Sequence, residues 1–241
     1  MTHLPVLCLT LGLAVAAPPK EPTADDIIKK YDSLMGPLAF ESENTMTSTR
    51  EDGTTRTYEM HMLKRDLDKF RVFFTGPAAV KGQEILRIGD NAWVYLPNLK
   101  RATRIANRES FQGGDFNNAD VLRVNYTADY AGELAPSEVP DTYCVKLKAK
   151  HQETAYDTIT LYVRKSDLLP VKGLYYGTSG KLMRSAEFLD VKALAKGFVR
   201  PSRIVMHNEL VPARKSEMVV KTMRLDVDVP AQRFTQTDLG K

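Results

Sequence analysis

The chain has 241 residues, of which 43% are hydrophobic and 27% charged, with a formal net charge of +4. That is a globular composition, and its acids and bases are interspersed without the long Lys/Arg runs of a nucleic-acid-binding tail, so no nucleic acid is expected as a partner. The body holds no run near the roughly 20 apolar residues that span a bilayer, so at most a peripheral membrane association is expected.

Residues 1–17 read as a secretory signal peptide: Leu4 to Ala17 is almost wholly apolar and contains Ala14-Val15-Ala16, the small-x-small pattern a signal peptidase cuts. Leu7 precedes Cys8 where a lipobox needs a small residue, so a lipid anchor at Cys8 is not expected. Cleavage removes Cys8 and leaves Cys144 as the one thiol, which excludes a disulfide framework and any metal site built on paired cysteines. Export without disulfides fits a bacterial periplasm. The remaining residues, 18–241, are expected to form one domain held by its core alone.

After a Pro-rich spacer, Thr23 or Asp25 caps a helix that runs to about Met35. Its apolar stripe is Ile27, Ile28, Tyr31, Leu34 and Met35, and Gly36-Pro37 ends it. From Phe40 the hydrophobic period drops to two. Glu41 to Arg50 and Thr54 to Lys64 form a hairpin about Asp52-Gly53, with Tyr58, Met60 and Met62 on one face, and Asp68 to Phe74 adds a third strand. Ile85 to Ile88 and Ala92 to Leu96 flank Gly89-Asp90-Asn91, a tight hairpin, and Pro97-Asn98 closes the second strand. A locally basic segment follows with Lys100, Arg101, Arg104 and Arg108, and then Phe111-Gln112-Gly113-Gly114-Asp115-Phe116.

Six further strands are expected, at residues 142–150, 157–164, 169–176, 182–191, 203–211 and 216–228, separated by turn chemistry. The count is about eleven strands with one N-terminal helix and a long non-strand insertion over 98–142. A sheet of that size curls, because twist accumulates from strand to strand. The expected fold is therefore mainly β: an unclosed antiparallel barrel with the helix and a helical or irregular lid packed in its mouth.

The chemistry of catalysis is missing. The four histidines lie on separate elements, no HxH or HExxH occurs, and there is no GxSxG and no phosphate-binding glycine loop, since Asp115 after Gly113-Gly114 would repel a phosphate. No enzyme activity, metal or cofactor is expected. Methionine is the unusual residue: Met46, Met60, Met62, Met183, Met206, Met218 and Met223 all fall on strands, where β-branched residues are commoner. Unbranched, polarizable side chains suit a cavity that accepts flexible acyl chains, and equally an ordinary core.

The order KGQEILRIGDNAWVYLP, NLKRATRI, SFQGGDFNNADV resembles the signature of the outer-membrane lipoprotein-sorting, LolA-like family. The matching positions are Lys81, Gly82, Trp93, Tyr95, Leu96, Pro97, Arg101, Arg104, Ile105, Phe111, Gly113, Asp115, Phe116 and Asp120. The resemblance implies an unclosed β-barrel capped by helices, a hydrophobic cavity, periplasmic location and binding of lipid or lipoprotein acyl chains. On it the expected ligand-binding residues are Met46, Met60, Met62, Phe73, Leu86, Trp93, Tyr95, Phe111, Phe116, Met206 and Met218. Arg101 and Arg104 are expected at the rim, facing a phosphate, an acidic partner or an inner-membrane transporter. The function expected is a periplasmic carrier or chaperone for acyl chains. Its rival is a non-enzymatic accessory or sensor subunit of an envelope transporter, docking through the basic segment, which an interior filled by the protein's own aromatics would favour.

Overall fold

The computed structural model describes residues 20–241; the signal peptide expected at residues 1–17 lies outside the described residues. Helix α1 (Ala24–Met35) begins at a capping box in which Thr23 and Asp26 exchange hydrogen bonds, and all five residues of its expected stripe are buried. The strands that follow pair in chain order as β1 (Phe40–Thr49), β2 (Thr55–Arg65), β3 (Lys69–Gly76), β4 (Glu84–Ile88), β5 (Asn91–Leu96) and β6 (Arg101–Ile105). Two short helices, α2 (Asn118–Leu122) and α3 (Tyr126–Asp129), precede β7 (Tyr130–Ala135), β8 (Thr142–Ala149), β9 (Thr158–Arg164) and β10 (Pro170–Tyr176). Three long strands close the series: β11 (Leu182–Ala195), β12 (Phe198–Asn208) and β13 (Lys215–Leu225).

All thirteen strands join one antiparallel sheet in the order β6-β5-β4-β3-β2-β1-β13-β12-β11-β10-β9-β8-β7. The strand series starts and finishes at its centre, where β1 pairs with β13, and β6 and β7 are the two free edges. The sheet therefore curves without closing. The chain must cross from one edge to the other between β6 and β7, so residues 106–129 span the concave side as a lid.

The two strands beyond the expected eleven, β6 and β7, both fall inside the 98–142 insertion. Arg-Ala-Thr-Arg-Ile on β6 is short and largely exposed, and Tyr-Ala-Gly-Glu-Leu-Ala on β7 carries weak strand formers, so neither shows an apolar period of two. The β11–β12 turn is also tighter than expected. Both strands run up to Lys196-Gly197, Gly197 adopts φ +72°, and Pro201 is accommodated within β12.

Alternation sorts the side chains. Phe40, Ser42, Asn44, Met46 and Ser48 of β1, with Tyr58, Met60, Met62 and Lys64 of β2, face inward beneath α1 and the lid. On the β9–β11 side the interior is filled by aromatics. Tyr31 stacks on Tyr126 at 4.7 Å, Tyr126 meets Tyr130 at 5.3 Å, and Tyr156 meets Tyr175 at 4.8 Å between ring centres.

A second apolar layer lies on the opposite face of β2–β5, where Val229, Phe234 and Leu239 of the C-terminal segment cover Leu63 and Leu86. Arg71, wholly buried there, donates from Nε to Glu84 Oε2 at 2.9 Å, from Nη1 to Asp238 Oδ2 at 2.5 Å and from Nη2 to Asp238 O at 2.8 Å. Arg65 on β2 also donates to Val229 O, so two guanidiniums strap the segment to the sheet, the buried Arg71 making most of the bonds. No helix among the described residues is long and apolar enough to cross a membrane.

Candidate functional site

Where the aromatic filling stops, a cleft remains between α1, α2 and the inner faces of β1–β3, β12 and β13. The cavity there is small, about 90 Å³ against the roughly 300–1,000 Å³ of typical small-molecule sites. Its apolar wall is Phe40, Met62, Phe70, Phe116, Met218 and Met223. Its polar residues include Lys64, Arg200 and Asp120.

The lid is bolted over this cleft through Asp115, which is 1% exposed. Asn208 Nδ2 donates to its Oδ1 at 2.8 Å and Ser216 Oγ to its Oδ2 at 3.0 Å, while its own N–H donates to Ser216 Oγ at 2.9 Å. Arg184 Nε donates to Asp115 O at 3.1 Å, and Arg214 Nη2 to Gly113 O at 3.1 Å. The two glycines before Asp115 do different work. Gly113 takes φ +73°, which turns the chain so that Phe111 and Phe116 both enter the core. Gly114 lets the backbone approach β1 and β13: a Cβ there would sit 2.7 Å from Ser48 Oγ and 3.0 Å from Ser216 Oγ. Gly114→Ala is expected to cost about 1–3 kcal/mol and to speed proteolysis within residues 106–129, read by thermal melts and limited digestion. Gly113→Val, with open space around its Cβ, is expected to act through backbone strain alone, disturbing the lid's bend more than the sheet.

The far end of the lid is anchored to α1 and the sheet. Asp32 accepts from the N–H groups of Tyr126 and Thr127, each at 2.8 Å, and Arg87 Nη1 donates to Leu122 O at 3.3 Å. Asp120 forms the α2 capping box by accepting from Asn117 N at 2.7 Å, and Tyr156 Oη donates to it at 2.9 Å. Burial pushes its carboxyl up to about 6 from an ordinary value of 3.8, against the lowering effect of those two hydrogen bonds. A raised carboxyl binds its proton more tightly when folded. Its contribution to stability is complete below the unfolded value and disappears as pH rises through about 6. Asp120→Asn removes that titration, so the variant is expected to gain on the wild type by about 1–2 kcal/mol between pH 4 and pH 7 in parallel melts.

The structure brings only some of the expected ligand-binding residues together. Met62, Phe116 and Met218 line the cleft. Met46, Met60, Phe111 and Met206 are buried in the same inner core without lining it. Phe73, Leu86 and Tyr95 lie on the outer face, packed with the C-terminal segment, and Trp93, paired with Leu86, shares that face. The physical reason is register: the two-residue turn at Gly89-Asp90 pairs Ile88 with Asn91, which points Ala92 and Val94 inward and the two large aromatics outward. Arg101 and Arg104 are exposed on the edge strand β6, away from the cleft, with Arg104 Nη2 donating to Asn91 Oδ1. Three residues that shape the cleft were not foreseen as such: Lys64, Arg200 and the bolt Asp115. Lys64 alone had a signal, as a charge continuing the Tyr58-Met60-Met62 face.

Comparison with solved structures places this architecture. A LolA superfamily protein from Nitrosomonas europaea is 27% identical, with a TM-score of 0.82 over 90% of this chain and 100% of that one. A putative outer membrane lipoprotein-sorting protein domain from Vibrio parahaemolyticus is 18% identical, with a TM-score of 0.78 over 90% of this chain and 98% of that one. A DUF1329 family protein from Desulfovibrio piger is 21% identical, with a TM-score of 0.81 over 91% of this chain and 100% of that one. A family model described as "uncharacterized protein" matches residues 66–241. The chain belongs to that family, within the LolA superfamily. No curated protein matches the sequence. Within this LolA-like frame the expected unclosed antiparallel barrel with an N-terminal helix is what the chain forms. The lid over residues 106–129 is its connection between the two sheet edges.

Proposed function

We propose that this LolA-like protein is an exported, periplasmic carrier that holds an acyl chain in the cleft beneath its lid. The observation that carries the reading is the cleft itself, walled by unbranched Met62, Met218 and Met223 between Phe70 and Phe116. Each buried methylene contributes about 0.8 kcal/mol, so a single long chain gains ample affinity without specific polar contacts. The aromatic filling on the β9–β11 side limits the capacity to a narrow ligand. Delipidated protein incubated with phospholipid or lipopeptide is expected to retain one acyl ligand per chain in native mass spectrometry; a spectrum of ligand-free protein alone contradicts the reading.

The exposed basic edge at β6 and the aromatic filling of part of the interior support a second reading, docking of an acidic envelope partner, such as a transporter subunit, on Arg101 and Arg104. Reversing both to Glu separates the two. Carriage of neutral tails survives that change, whereas docking is lost.

A further inference from the structure

Two cations are buried at one end of the cleft without a counter-ion. Lys64 on β2 is 3% exposed and Arg200 on β12 is 4% exposed, and both line the cleft. Lys64 Nζ donates to Gly36 O at 2.7 Å, and Arg200 donates from Nη1 to Met35 O at 3.3 Å and from Nε to Pro201 O at 3.1 Å. Because Met35 and Gly36 are consecutive, both charged heads converge on the C-terminus of α1. Part of their role is to cap that helix, whose last turn has no basic residue of its own. The cap does not account for both. A helix C-terminus carries about half a negative charge, and two full positive charges face it.

No carboxylate of the described residues forms an ion pair with either cation. Asp32, whose charge favours Lys64, gives both oxygens to lid amides, and Asp120 gives its carboxyl to Asn117 and Tyr156. Arg200 has only the Tyr31 hydroxyl as an acidic neighbour. Burial accordingly pulls Lys64 down to about 8 and Arg200 down to about 10. Donors are left over: Lys64 engages one carbonyl of three possible partners, and Arg200 Nη2 has none among the described residues. The apolar wall starts beside this cationic end, at Phe40, Phe70 and Met223, and continues to Met62, Met218 and Phe116. Cationic end and apolar wall together form the complement of an amphiphile with an anionic head and a single tail.

We propose that Lys64 and Arg200 are a headgroup site for the carboxylate of a long-chain fatty acid whose tail lies along Met62, Met218 and Phe116. The inference rests on the carrier reading and names its ligand class. Arginine and lysine together offer the carboxylate charge-assisted hydrogen bonds in a site from which most water is excluded.

The test compares hexadecanoate, hexadecanol and acetate in calorimetric titrations of the delipidated full chain at neutral pH, with Lys64→Met and Arg200→Met measured beside the wild type. The wild type is expected to prefer hexadecanoate over hexadecanol by about ten-fold or more, and each variant to erase most of that preference. Acetate, lacking the tail, is expected not to bind measurably. Equal affinity for acid and alcohol overturns the headgroup site and leaves the carrier reading standing. A preference that survives in both variants, or acetate binding as well as hexadecanoate, also overturns it. Failure of both long-chain ligands to bind overturns the headgroup site, and the carrier reading falls with it where phospholipid and lipopeptide are not retained either. The wild-type comparison decides the matter even where a variant fails to fold.

Discussion

Asp115→Ala is expected to lower the melting temperature by about 10 °C, the largest effect of any single substitution in the lid. Asp115 is buried and ties residues 113–116 to β12 and β13 through Asn208 and Ser216, with Arg184 and Arg214 holding the adjoining backbone carbonyls. Removing it leaves the Asn208 amide without its acceptor, takes one partner from Ser216 and withdraws the carboxyl that Arg214 faces at 3.6 Å. Breaking such a buried polar network costs about 3–5 kcal/mol, and in a domain of this size each kcal/mol lowers the midpoint by roughly 2–4 °C. Asp115→Asn, which keeps an acceptor, is expected to fall about midway. Because the bolt acts on the lid, acyl retention should drop in both variants at temperatures where circular dichroism still reports a folded sheet. A variant with unchanged melting and unchanged retention would remove the bolt from the account.

The second large effect is expected on the opposite face. Arg71→Met strands Glu84 and Asp238, two carboxylates that share one wholly buried guanidinium, at a cost of about 3–5 kcal/mol. The C-terminal segment loses its main polar tie and is left with the Val229, Phe234 and Leu239 contacts, the Arg65 bond to Val229 O and the Gly240 N–H bond to Glu84. Cleavage at Arg233 by trypsin should then accelerate before global unfolding. Deleting residues 227–241 should expose Leu63, Leu86, Phe73 and Tyr95 together, an apolar patch on four strands, and give strong binding of a hydrophobic dye with loss of solubility. A truncated chain as soluble as the full one would show that the strap is dispensable.

These two faces explain what was legible in the sequence. On β2 the period of two runs from Tyr58 to Met62 and groups Met60 and Met62 on one face, until Leu63, buried on the other, breaks it. The stripe of α1 was equally plain, and of the two caps expected, Thr23 and Asp25, the chain uses Thr23. The hairpin at residues 84–96 misleads because both of its faces are apolar: Ala92 and Val94 meet the core while Trp93 and Tyr95 lie on the outer face. Choosing the larger residues as the cavity wall assumed a bare outer face. What covers it is a segment whose three anchors are spaced among Pro, Gln, Thr and Asp, with no period to mark them. Likewise the function of Asp115 depends on Asn208 and Ser216, about a hundred residues further on, which only the pairing of β1 with β13 brings near. Long-range closure of this kind leaves no local trace.

Fluorescence quenching decides whether an acyl chain lies inside the curved sheet under the lid. Trp93 is the chain's single tryptophan and sits on the outer face, so it serves as the internal control. A second protein carries Trp93→Phe with Phe116→Trp, which moves the fluorophore to the cleft wall. Titration with a fatty acid brominated along its chain is expected to quench the tryptophan at 116 in a saturable, one-to-one manner and to leave Trp93 nearly unchanged. Quenching of Trp93 with the 116 reporter untouched, or of neither, would contradict the account.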